Sequence, residues 1–136
     1  MDFEKIIVTI LYIHQTMDIV GVKGYVNRPK MISPDTIGWS ILTIFMGLYY
    51  FELPYINLVF IGLFGFVLYG LYHFHWKLYF FGATNEKIVG YNNYFKGTHR
   101  ILAESSTRLV PDTYHIVHSL LYLITFITLC IGLFIR

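Results

Sequence analysis

Two apolar runs limit this chain more than anything else in it: "INLVFIGLFGFVLYGLYHFHWKLYFF" (56–81) and "DTYHIVHSLLYLITFITLCIGLFI" (112–135). A helix that crosses the hydrocarbon core of a bilayer needs about 20 mostly apolar residues, and each run supplies them. A third run, "PDTIGWSILTIFMGLYYF" (34–51), is slightly short but clean in its interior. All three carry Tyr or Trp at their margins, where amphipathic rings settle at headgroup level. Only 13% of the residues are charged, against roughly 25% in a soluble domain. The sequence therefore predicts an all-α integral membrane protein, with residues 1–136 forming a single polytopic domain.

The number of spans turns on the first segment, "MDFEKIIVTILYIHQTMDIV". Phe3, Ile6, Ile7, Ile10, Ile13 and Met17 repeat at helical spacing on one face, with Glu4, Thr9, Gln15 and Thr16 on the other. A fourth spanning helix that buries its polar side against neighbours fits this pattern, giving a bundle of four transmembrane helices. Three spans plus an N-terminal amphipathic helix lying in the interface fit it too. The N-terminus has acidic residues where a secretory signal would be basic, and no small-x-small cleavage site follows. Basic residues of short loops favour the cytoplasm. Lys23, Arg28 and Lys30 place loop 21–33 there, and Lys87, Lys96, Arg100 and Arg108 place loop 82–111 there. The turn "ELPY" (52–55) then lies outside, and the expected location is the cell (inner) membrane.

Pro-Asp-Thr occurs twice, at 34–36 and 111–113, each time before a long apolar run. Proline suits the first helical position because its missing N–H has no partner there in any case. An acid in the first turn interacts favourably with the helix dipole. The repetition extends to "LYIH" (11–14) with "LYHFH" (71–75), and to "GYVN" (24–27) with "GYNN" (90–93). This order suggests a duplicated helix–loop–helix unit, about 3–51 and 56–135. Parallel internal repeats of that kind occur in transporters.

Six histidines are present, and only His99 belongs clearly to a loop. With cytoplasmic helix ends near residues 20, 81 and 112, a rise of 1.5 Å per residue puts His14, His75 and His118 roughly 9 Å inside them. His115 and His118 share a helical face with Asp112, as His14 does with Asp18. His73 and His75 point in different directions, so one of them faces the bundle. His14, Asp18, His75, Asp112, His115 and His118 would offer imidazole and carboxylate ligands to a transition metal, or an axial ligand to haem. Hydrogen bonding at the interface is the alternative use of these rings.

Small residues line several helix faces: Ser40, Thr43 and Gly47; Gly62 and Gly65; Thr125, Thr128 and Gly132. Such residues let membrane helices approach closely, within the chain, between copies in a homo-oligomer, or around a pore. In loop 82–111, "THRILAESSTRL" reads as a short amphipathic helix, with Lys96, Arg100 and Arg108 toward anionic lipid headgroups. The single Cys130 permits no intrachain disulfide, and a net charge of +2 gives no case for nucleic acid. Nucleophile elbows, phosphate loops and thiol–His dyads are missing from the sequence, so the expectation leans away from an enzyme. The first functional expectation is a small oligomeric membrane protein acting in permeation or transport. A metal- or haem-binding protein, redox or hydrolytic, is the second. A membrane adaptor that recruits a partner through loop 82–111 is the third.

Overall fold

The computed structural model describes residues 3–135, and among them the only regular elements are helical. Helix α1 runs Phe3–Val20, α2 Pro34–Tyr50 and α3 Ile56–Leu71; a π-turn over Tyr72–Trp76 carries α3 into α4, Lys77–Phe81. The short α5, Asn85–Tyr94, lies in the loop before α6, Thr113–Ile135. The fold is all-α. Two stretches, Ile56–Phe81 and Thr113–Phe134, are long and apolar enough to cross a membrane.

The four long helices form a square in the order α1, α2, α3, α6, their backbones approaching closely along its sides while side chains fill its centre. Side-chain pairs fix the directions. Along α1 and α2, Thr9 meets Tyr50, Tyr12 meets Thr43 and Thr16 meets Trp39, the reversed order of antiparallel neighbours. Gln15 accepts from the Tyr122 hydroxyl while Glu4 lies over Gly132, so α1 and α6 are antiparallel too. Phe64 packs on Tyr122 and Trp76 donates to Ser119, so α3 and α6 are as well. The chain runs up, down, up, down.

One half of this square is filled with hydrocarbon. Leu11, Leu42, Phe60, Phe64 and Leu129 are almost completely buried and touch one another, with Tyr49 and Tyr122 at the margins. The outer surface is apolar as well: Ile44, Phe66, Phe74 and Leu120 all lie exposed on their helices. A water-soluble bundle would cover such side chains, whereas a lipid-facing one exposes them.

Both basic loops come to the same end. The His99 backbone N–H donates to the Gly24 carbonyl at 2.7 Å, and the Asn27 amide donates to the Tyr94 carbonyl. The 52–55 turn sits at the other end, where Lys5 pairs with Glu52.

The two Pro-Asp-Thr copies do different work. Ser33 caps α2 in a capping box with Thr36, which leaves Pro34 and Asp35 in the first turn as expected. In α6 the helix begins two residues later in the motif, at Thr113, and Asp112 is itself the cap: its Oδ1 accepts the His115 backbone N–H at 3.0 Å. The loop helix also lies elsewhere. Residues 98–109 are not helical, because His99 N–H goes to Gly24 and the Ser105 hydroxyl accepts from Thr107 and Arg108 N–H. The helix forms over 85–94 instead, capped by Thr84.

Phe64 is fully buried and Phe66, two residues on, is 74% exposed. Phe64→Ala should cost about 3–5 kcal/mol of stability through lost packing, while Phe66→Ala should stay within about 0.5 kcal/mol. Thermal unfolding in detergent micelles measures both, and equal losses would contradict the packing described.

Candidate functional site

The end of the bundle that carries the basic loops is lined with histidine. Asp112, wholly buried at the start of α6, holds the first ring: its Oδ1 accepts from His115 Nδ1 at 2.6 Å as well as from the backbone. That bond fixes the tautomer, with the proton on Nδ1 and Nε2 left open. Burial pushes the Asp112 carboxyl up, but the hydrogen bonds and charge of His115 outweigh it and hold the group below its ordinary value. Asp112 Oδ2 has no hydrogen-bond partner among the described residues.

His75 lies on His115 with ring centroids 4.3 Å apart, and its Nδ1 meets the Tyr91 hydroxyl of α5 at 3.3 Å. Burial raises the Tyr91 hydroxyl above its ordinary range, so it stays a neutral partner. The π-turn makes this position possible. Within it Lys77 N–H reaches back five residues to the Tyr72 carbonyl, which opens the helix by one residue. His73, on the same turn, packs instead against the rings of Tyr69 and Tyr72. Such turns inside α-helices concentrate at functional sites.

A second pair stands beside the first. His14 Nδ1 and His118 Nδ1 are 3.3 Å apart, one ring donating to the other. His14 Nε2 meets the Tyr25 hydroxyl at 2.7 Å, and the Tyr114 ring lies nearly parallel to both imidazoles. The Tyr114 hydroxyl is buried without a hydrogen-bond partner among the described residues. His14, His75, Asp112, His115 and His118 thus lie at one end of the bundle, with the imidazoles in two pairs. Asp18 lines the cleft beside them. Among the described residues no group of three His, Cys, Asp or Glu side chains is placed to hold one metal ion.

This cluster floors a cleft of about 440 Å³ between α2 and α3. The two helices pack through Phe45, Tyr49 and Phe60 near the 52–55 turn and leave a gap toward the other end. Gly38 and Gly70 line that gap, and a side chain at either would meet nothing within 4 Å. Ile41, Leu63, Phe66 and Val67 form apolar walls, and His75, His115, His118, Tyr114 and Tyr122 the polar floor. Gly38, Gly70 and Tyr114 were not singled out by the sequence, although Tyr114 stands between Asp112 and His115 in "DTYHIVHS"; Tyr25 and Tyr91 are the tyrosines of the paired "GYVN" and "GYNN".

The small residues divide. Thr125 is fully buried and bonds the Leu121 carbonyl, Thr43 bonds Tyr12, Gly65 faces Phe126 and Gly132 faces Glu4. Ser40, Gly47 and Gly62 lie exposed on the outer faces, and Thr128 is half-buried. Arg100 is held within its loop by Asn92 and Glu104 and lies over the Tyr91 ring, while Lys96 and Arg108 are exposed.

Comparison with protein-family models, with curated proteins and with solved structures finds no match.

Asp112→Asn keeps the helix cap but removes the charge facing His115, and should cost about 1 kcal/mol; Asp112→Ala loses cap and partner and should cost about 2–3 kcal/mol. Thermal unfolding of both variants in micelles measures the two contributions. Equal losses would mean that the cap adds nothing.

Proposed function

We propose that the chain is a four-span membrane protein that draws a long-chain amphipathic molecule from the bilayer into the α2–α3 cleft. Its polar end rests on the histidine cluster. The cleft carries this reading, since its walls are apolar on the lipid side and its polar groups gather at one end. Ligand sites commonly combine apolar walls with a few convergent polar groups. Ionisable groups within spans tend to be functional. A solute route along the axis of one chain would have to pass the packed half around Phe60 and Phe64, so permeation would run between copies, with Ser40, Gly47 and Gly62 at the candidate contacts.

Four spans with loops 21–33 and 82–111 in the cytoplasm agree with the basic residues of both loops and with the packing of those loops on each other. In a Cys130→Ala background, Phe3→Cys and Tyr55→Cys should react with a membrane-impermeant maleimide on intact cells. Lys23→Cys and Lys96→Cys should react only after permeabilisation. A protected Phe3→Cys beside a reactive Tyr55→Cys would favour three spans.

A transition-metal site is the second reading, favoured by one distance. Two imidazole nitrogens at 2.0–2.1 Å from a tetrahedral zinc stand roughly 3.3 Å apart, the spacing of His14 Nδ1 and His118 Nδ1. The remaining ligands would have to be water or a bound molecule.

One purification in mild detergent without chelator tests both readings. The wild-type chain should retain about one equivalent of amphiphile, and Gly70→Phe, which fills the cleft, should lose it at unchanged melting temperature. Retention by Gly70→Phe would refute the cleft as the site. Stoichiometric metal lost in His118→Ala, without amphiphile, would promote the second reading.

A further inference from the structure

We infer that the molecule taken up by the cleft is an isoprenoid-type quinone, a refinement that rests on the amphiphile reading above. Three features of the cleft select the head group. The first is charge: neither lysine nor arginine lines it, and Asp18 and Asp35 do. A phosphate or carboxylate head would find no cation on the cleft walls themselves, Lys77 and Lys87 lining the adjoining cavity beyond Asp35 and His75, whereas an uncharged head needs none.

The second feature is hydrogen bonding. The Tyr114 hydroxyl, on the cleft floor, is buried and unpartnered. A buried donor of this kind is costly until an acceptor reaches it. His75 and His118 line the same floor as further donors, each with a ring nitrogen that can carry a proton. A quinone presents two carbonyl acceptors on opposite edges of one ring and no donor, the complement of this set. His115, whose Nδ1–H is given to Asp112, keeps Nε2 for a ligand, an acceptor whenever the ring is neutral. That atom suits the hydroxyl of the reduced, quinol form.

The third is shape. The floor is built of flat rings: His75 on His115 at 4.3 Å, and Tyr114 beside His118 at 5.1 Å. Offset stacking on such rings favours a planar head over the branched glycerol of a neutral lipid. The cleft walls end in exposed Ile41 and Phe66, so a prenyl tail would continue into the bilayer.

The test uses an azido-ubiquinone analogue photolysed on the full chain in nanodiscs, with labelled peptides mapped by mass spectrometry. Label should fall on residues 63–75 and 114–122. Excess unlabelled quinone should displace it, and dioleoylglycerol or dioleoyl phosphatidic acid should not. Tyr114→Phe, which keeps the ring, should weaken labelling about tenfold, and Gly70→Phe should abolish it. Equal displacement by dioleoylglycerol, or full labelling of Tyr114→Phe, would overturn the quinone assignment. Either result leaves the cleft standing as an amphiphile site if wild type retains a different amphiphile that Gly70→Phe loses. Label that persists in Gly70→Phe, with no amphiphile retained by wild type, would sink both readings.

Discussion

The site depends on one carboxylate that has no contact with solvent. Asp112 closes the first turn of α6 and accepts hydrogen bonds from both the backbone N–H and the imidazole Nδ1–H of His115. Burying a charge in this way is expensive unless it is hydrogen-bonded, and a single histidine three residues on gives Oδ1 two hydrogen bonds, while Oδ2 has no partner among the described residues. The bond then sets the direction of His115, and His115 sets the place of His75, which rests upon it. Tyr91 of the loop helix closes the arrangement from below. Secondary structure, tautomer and loop position thus share one residue, whose neighbour Pro111 has no N–H to offer in competition.

The interior is divided between two kinds of packing. Near the 52–55 turn, large rings and leucines fill the square, and the helices touch. Near the basic loops, rings still meet, but through hydrogen bonds, and α2 stands away from α3. The glycines help to make this difference. At Gly65 and Gly132 the missing side chain admits Phe126 and Glu4, and helices are held together. At Gly38 and Gly70 it admits nothing, and space is left. The same residue type therefore both seals and opens the bundle, according to what faces it.

That division also explains what could be read from the sequence. Apolar runs announce the helices because hydropathy is a local property, and equal distance from helix ends brought out the depth shared by His14, His75 and His118. The pairing of the rings was out of reach. It depends on the π-turn, which shifts the angle between His73 and His75 away from that of a regular helix, and on Tyr25 and Tyr91, which the Gly-Tyr-x-Asn repeat marks without showing that they meet His14 and His75. The helix expected over 98–109 failed for a related reason: its backbone donors are claimed by Gly24 and by Ser105, partners that composition does not reveal. Glycines at i, i+3 or i+7 look alike in sequence whether they meet a ring or a void.

The π-turn has a further consequence for how this chain could change. A turn that closes through five residues holds one more residue than its α-helical equivalent, so the segment before Tyr72 and the segment after Trp76 are offset from each other. Loss of a single residue between them would let the ladder close as ordinary α-helix and still leave an apolar helix of spanning length. Everything on the far side, including the descent into α5 and its Tyr91, would then turn by about 100° relative to the bundle. The chain would keep its hydrophobic core and its fold while His75 parted from His115, a change of one codon that separates the bundle from its histidine cluster.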